Sequence, residues 1–395
     1  MVILGLMATI FPAMAGFANP PQPVALLLSN WKYQHLAPLV TPEADLSAMR
    51  RTLENLDPPY QVTELANAST KGMEAAVGAF AKRHAGNPVV LVYVSGHGLQ
   101  VGGVNYLTGV DVNLGEFSRR SEALRSAFPA EDEYQAQLSR LQRSFAEEQM
   151  LSVDWMIARL GEMSPVEAAH SHVKMIFIDA CREPFPEESP VGLAEAKSVF
   201  AGKTAAGLAP VVVSERPGIF VGLSAAANQE ANQNDGERLR VKPGFLAQIG
   251  SKGRESFLWD HYRNGGSAAE LVAGELPSSF FTERLTAEIA RGGTLEQVFN
   301  RTGESVHLES AALVREKRLK AVQTPAKYSL YYGSYAFVPI GSAKNEEMGE
   351  AVPQATGASA AGSPAGTSAN SPGGERPQSP PPATKSGGSS IRIIK

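Results

Sequence analysis

From Pro88 to Val94 the chain reads PVVLVYV, and from Val173 to Asp179 it reads VKMIFID. Such short, nearly unbroken apolar runs are the pattern of strands buried on both faces, and a sheet of that kind must carry helices on either side. A third run, VALLLS at Val24 to Ser29, opens the series. Between the runs lie helical patterns. Asp45 to Leu56 repeats apolar residues at Leu46, Met49, Leu53 and Leu56, and Lys71 to His84 does so at Met73, Ala76, Val77 and Phe80. Tyr60 to Leu65 alternates weakly as a further strand. Strand, helix, strand, helix, strand predicts an α/β fold with a mostly parallel sheet. Ile219 to Leu223 reads as another strand, Phe281 to Ala290 and Leu295 to Val306 as helices, and Tyr328 to Val338 as the segment that closes the sheet.

The stretch from about 115 to 160 interrupts this alternation. It is charged and helix-prone, with Leu138, Leu141 and Phe145 along one face, and reads as a helical insertion with a solvated outer face. Hydrophobic residues make up 43% of the 395, enough for a large core, and the net charge of -4 argues against affinity for nucleic acid built on phosphate neutralisation. Val2 to Ala15 has the length of a signal-peptide apolar region, and Ala13-Met14-Ala15 offers a small-residue cleavage site. Residues 1–18 are therefore expected to be a signal peptide that exports the protein to the periplasm or beyond. No Lys or Arg precedes the run, and a chain in which it is no signal stays in the cytoplasm. No stretch is long and apolar enough for a stable membrane span. A folded domain is expected over 22–340. Beyond it, 341–395 is dominated by Ala, Gly, Ser and Pro and is expected to be disordered.

Catalytic groups of an open parallel sheet gather at the carboxyl ends of its strands. Two strands here end in reactive residues: VVLVYV runs into Ser95-Gly96-His97-Gly98, and MIFIDA runs into Cys181-Arg182-Glu183. A thiol is only slightly ionised at neutral pH, and a neighbouring imidazole raises that fraction. His97 and Cys181 are remote in sequence, so neighbouring strands must bring them together. A lone cysteine at a strand end is also a common buried structural thiol, and a histidine between glycines also serves simply to cap a turn. Both residues fall at the same predicted sheet edge, however, and an exported protein that keeps one unpaired thiol carries an oxidation hazard that serine would avoid. Cys181 is the only cysteine, which excludes an intramolecular disulfide and a thiolate-rich zinc site. No cofactor or metal is expected. Neither a G-x-S-x-G elbow nor a phosphate-binding G-x-x-x-x-G-K-[ST] loop occurs.

The pairing of YVSGHG (Tyr93 to Gly98) with FIDACRE (Phe177 to Glu183) resembles the caspase-like cysteine peptidases of family C14, especially their bacterial metacaspase-like branch. The likeness extends to ALLLSNWKY at Ala25 to Tyr33, LVTPEADLSAM at Leu39 to Met49 and NYLTGVD at Asn105 to Asp111. It continues in FVGLSAAANQEA at Phe220 to Ala231 and SSFFTERL at Ser278 to Leu285. The resemblance implies a three-layer α/β/α sandwich with a mostly parallel sheet. It further implies Cys181 as nucleophile and His97 as general base, with the oxyanion held by the backbone N–H groups of Gly98 and Cys181. Asp179 and Asp45 would line the primary pocket and select Arg or Lys at the cleavage site of a protein or peptide substrate. Lys197, Lys203 and Arg216 offer points of self-cleavage. The alternative is a catalytically silent caspase-fold module that binds partners. The sequence leaves the oligomeric state open.

Overall fold

The computed structural model describes residues 21–164, 168, 171–181, 208–213, 217–226, 241–319 and 321–342, and at Cys181 the main chain alone. The expected signal segment, nearly all of the expected tail and the self-cleavage points lie outside these residues. The elements run β1 (Val24–Ser29), α1 (Thr41–Glu54), β2 (Gln61–Ala66), α2 (Thr70–Arg83), β3 (Val89–Val101), β4 (Val104–Thr108), α3 (Leu114–Ala127) and α4 (Glu131–Gln149). There follow β5 (Met150–Ser152), α5 (Val153–Gly161), β6 (Val173–Cys181), β7 (Ile219–Leu223), α6 (Pro243–Lys252), α7 (Arg254–Arg263) and α8 (Ala268–Leu271). The last are α9 (Phe280–Arg291), β8 (Gly293–Thr294), α10 (Leu295–Arg315), β9 (Ala326–Ser329) and β10 (Ala336–Phe337).

The central sheet has the order β2-β1-β3-β6-β7-β9. Every neighbouring pair along it is parallel except the last, where β9 runs antiparallel to β7. Side chains alternate along each strand and so divide two cores. Leu91, Tyr93, Met175 and Phe177 face one core with Leu46, Met49 and Leu53 of α1, Leu285 of α9 and Phe299 of α10. Val90, Val92, Ile176 and Ile178 face the other with Met73, Val77 and Phe80 of α2 and Met156 and Ile157 of α5. This is a three-layer α/β/α sandwich with a mostly parallel central sheet.

Three local readings are corrected. The first helix starts at Thr41, with Pro42 in its first turn, ahead of the expected start at Asp45, so Asp45 lies inside it. Only the start of the 328–338 segment joins the central sheet; Ala336–Phe337 pairs instead with Gly293–Thr294. The stretch from 115 to 160 is more than a solvated appendage. Phe117 and Phe145 are fully buried and meet edge to face at 5.3 Å, β5 pairs with β4, and α5 covers the second core. Its charges sit on the outer faces of α3 and α4, as in the Arg120 to Glu148 bond of 2.9 Å.

Phe177, Phe220 and Phe299 pack on one another with ring centroids 5.4 to 6.4 Å apart. Gly222 admits them, because a Cβ there would stand 2.5 Å from Phe299 Cε2 and 2.9 Å from Phe177 Cδ1. Gly222→Ala is therefore expected to destabilise the fold by about 1–3 kcal/mol, the usual cost of overpacking. Thermal unfolding checks this; an unchanged Tm would contradict it.

Candidate active site

Chain order turns from β1 to β2 on one side and then to β3 on the other, so the crevice beyond β1 and β3 is the topological switch point where open α/β sheets bind ligands. Asn30, just past β1, ties the loops at this edge together. Its Nδ2 donates to Thr108 O at 3.0 Å, and its Oδ1 accepts from Ala68 N–H at 2.8 Å.

His97 lies on β3 at this edge. The parallel register runs Tyr93 to Phe177, Ser95 to Asp179 and His97 to Cys181, so the histidine and the cysteine are direct cross-strand neighbours in the main chain. Gly98 follows, and a Cβ there would sit 2.9 Å from Ala180 Cβ, so the strands close tightly beside this pair. The imidazole is half-buried. Its Nε2 lies 2.8 Å from Ala37 O, which can only accept, so Nε2 carries the hydrogen and a neutral ring keeps its lone pair on Nδ1. Its backbone N–H donates to Tyr33 Oη at 2.8 Å, and the Tyr33 ring stands 4.6 Å from the imidazole. Burial pushes the pKa of His97 down to about 4, partly offset by the Ala37 carbonyl. An adjacent anion would raise it again.

The two carboxylates meet one step back along the same face. Asp45 is 0% exposed and Asp179 is 4% exposed. Ser279 joins them: its backbone N–H donates to Asp45 Oδ1 at 2.8 Å, and its hydroxyl donates to Asp179 Oδ2. Ser95 Oγ donates to Asp45 Oδ2 at 2.9 Å, and Thr282 Oγ1 donates to Asp179 Oδ2 at 2.6 Å. Burial and the neighbouring Asp179 carboxylate hold the pKa of Asp45 well above the usual range. Burial likewise raises that of Asp179, against the hydroxyls that bond it. The two acids thus form one buried cluster bonded by the hydroxyls of Ser95, Ser279 and Thr282.

Several of these groups have no part in the sequence reading. Ser95 and Ser279 lie within quoted segments, but an isolated serine carries no signature of the bond it makes. Ala37 acts through its main chain, which the sequence does not mark at all. Among the described residues no group of three or more His, Cys, Asp or Glu is placed to hold a metal ion, and no helix is long and apolar enough to cross a membrane.

The sandwich, with its reactive residues at the carboxyl edge of a parallel sheet, defines the general class: an α/β protein of caspase-like architecture. A family model described as a caspase domain, peptidase C14, matches residues 22–331, and the chain belongs to that family. The family is one of cysteine peptidases, hydrolases that act on proteins and peptides. No curated protein matches the chain. Among solved structures, caspase-1 from Spodoptera frugiperda aligns with a TM-score of 0.44 at 12% identity, covering 84% of this chain and 98% of that one.

Proposed function

We propose that the protein is a cysteine endopeptidase that works through Cys181 and His97 and cleaves after Arg or Lys. The observation that carries this reading is the direct register of His97 with Cys181 at the sheet's carboxyl edge. His97 takes the thiol proton, and the Cys181 sulfur attacks the scissile carbonyl carbon. Collapse of the tetrahedral species breaks the C–N bond, and His97 returns the proton to the leaving amine. A thioester remains. Water, deprotonated by His97, then attacks it, and the thiol leaves with the acid product.

The oxyanion is assigned to the N–H groups of Gly98 and Cys181. Main-chain groups alternate between strand edges. His97 N–H is used by Tyr33 from the β1 side, so alternation supports a Gly98 N–H turned toward β6. The basic preference rests on Asp45 and Asp179. Two buried carboxylates gain from a guanidinium or ammonium of the substrate that reaches them, because charge-assisted bonds then offset a desolvation cost. The same reading takes residues 1–18 as an export signal.

The reading is tested with a fluorogenic peptide ending in Arg, against one ending in Asp or Leu. Cleavage is expected to be far faster for the basic peptide than for the other two. Incubation of the purified protein should also yield fragments that begin after Lys197, Lys203 or Arg216. Terminal sequencing checks this, and a chain that stays intact while cleaving the peptide discards self-processing at those positions.

A further inference from the structure

His97 takes its orientation from the loop between β1 and α1. That loop supplies the Ala37 carbonyl on Nε2 and the Tyr33 hydroxyl and ring. Gln34 and His35, at its bend, are exposed and add no apolar anchorage. Tyr33 and Leu36 are buried and Gln34 N–H donates to Val110 O at 2.9 Å, and a further tie on the bend comes from far along the chain. The indole Nε1 of Trp259, on α7, lies 3.2 Å from Tyr33 O and 3.2 Å from Leu36 O. One N–H thus spans both ends of the bend, and Leu36 O belongs to the residue just before Ala37. Two further bonds act alongside: Tyr262 Oη donates to Leu39 O at 2.7 Å, and Lys32 Nζ to Gly266 O at 3.0 Å.

The element that carries Trp259 is itself anchored. Phe257, Leu258 and Tyr262 of α7 are buried in the first core. The excursion from α6 to α8 is closed at its neck by the Val241 to Val272 bridge and the Lys242 N–H to Leu271 O bond of 2.9 Å. Trp259 is only half-buried, so packing alone does not set its ring.

We propose that Trp259 is a positioning residue for the peptidase reaction: its N–H fixes the 33–36 bend and thereby keeps the Ala37 carbonyl and Tyr33 on His97. This rests on His97 acting as the general base. A base displaced by a fraction of an ångström loses rate in the chemical step, while substrate binding at Asp45 and Asp179 is untouched.

The test is Trp259→Phe, which keeps an aromatic ring and removes the donor. On the Arg peptide, kcat is expected to fall about 10-fold with KM within about two-fold of wild type. Because His97 acts in its neutral form, the acidic limb of the kcat profile should also move to lower pH. An imidazolium without its carbonyl acceptor loses its proton more readily, whereas a merely structural defect lowers the profile without shifting it. If Trp259→Phe does not fold, site-specific replacement of Trp259 by 3-benzothienylalanine, bicyclic but without the N–H, gives the same readout. An active wild type with an indistinguishable variant overturns the positioning role alone, as does a lowered kcat with an unmoved limb. A wild type without Cys181-dependent cleavage overturns the peptidase reading and this inference with it.

Discussion

Cys181→Ala is expected to abolish cleavage of the Arg peptide, with kcat reduced roughly 10⁴-fold or more, the scale on which a lost nucleophile acts. His97→Ala should fall as far, and the double variant hardly further, because the two groups serve one step and their effects do not add. The fold should survive both changes. Strand pairing of β3 with β6 is made by the main chain over the whole length of β6, so Tm is expected to stay within a few degrees of wild type. Initial rates with the fluorogenic peptide, alongside thermal unfolding, decide the matter. A Cys181→Ala protein that still cleaves would end the assignment of the nucleophile.

Asp179→Asn should separate specificity from catalysis. Removing one partner of a buried charge pair costs about 2–5 kcal/mol. The kcat/KM for an Arg peptide is therefore expected to drop by roughly 10² or more, while slow cleavage of neutral peptides is unchanged. The pH dependence has a definite sign. Burial raises the pKa of Asp179 in the folded state, so the native protein holds this proton more tightly than the unfolded chain does. The stability gained from this is full below the unfolded value of about 3.9 and is lost as pH rises through the raised folded value. At neutral pH, Asp179→Asn should accordingly melt at or above the wild-type temperature, with the Ser279 and Thr282 hydroxyls rotated to accept from the amide. Substrate binding runs the other way. A cation needs the ionised acids, so KM for the Arg peptide should rise as pH falls through their raised pKa values. A variant with undiminished preference for Arg would remove Asp179 from the pocket.

The sheet was legible because Val24–Ser29, Val89–Val94 and Val173–Ile178 are apolar without alternation, and only strands covered on both faces need that. His97 and Cys181 were legible because each follows such a run directly. The hairpin of β3 and β4 carried a signal that the reading passed over. Gly102 and Gly103, with φ of 59° and 88°, form a two-residue turn between Val101 and Val104, the glycine pair that tight hairpins favour. The α6 to α8 excursion gave little warning. Its buried residues, Phe257, Leu258 and Tyr262, are interleaved with Arg254, Glu255, Asp260 and Arg263, and the resulting period is faint. The role of the 31–40 loop was illegible in principle, since it acts largely through carbonyl oxygens that every residue possesses.

The pleat also works as a ruler. Ser95 and Asp179 form one rung of the β3–β6 ladder, and His97 and Cys181 form a rung two residues further along. Two residues of strand measure about 6.6 Å. On the proposed mechanism, that offset between the bond to be cut and Asp179 suits a lysine's four-carbon stem or an arginine's longer reach and leaves a short residue stranded in between. Inserting a single residue between Asp179 and Cys181 would break the main-chain register of Cys181 with His97 while leaving every residue type in place.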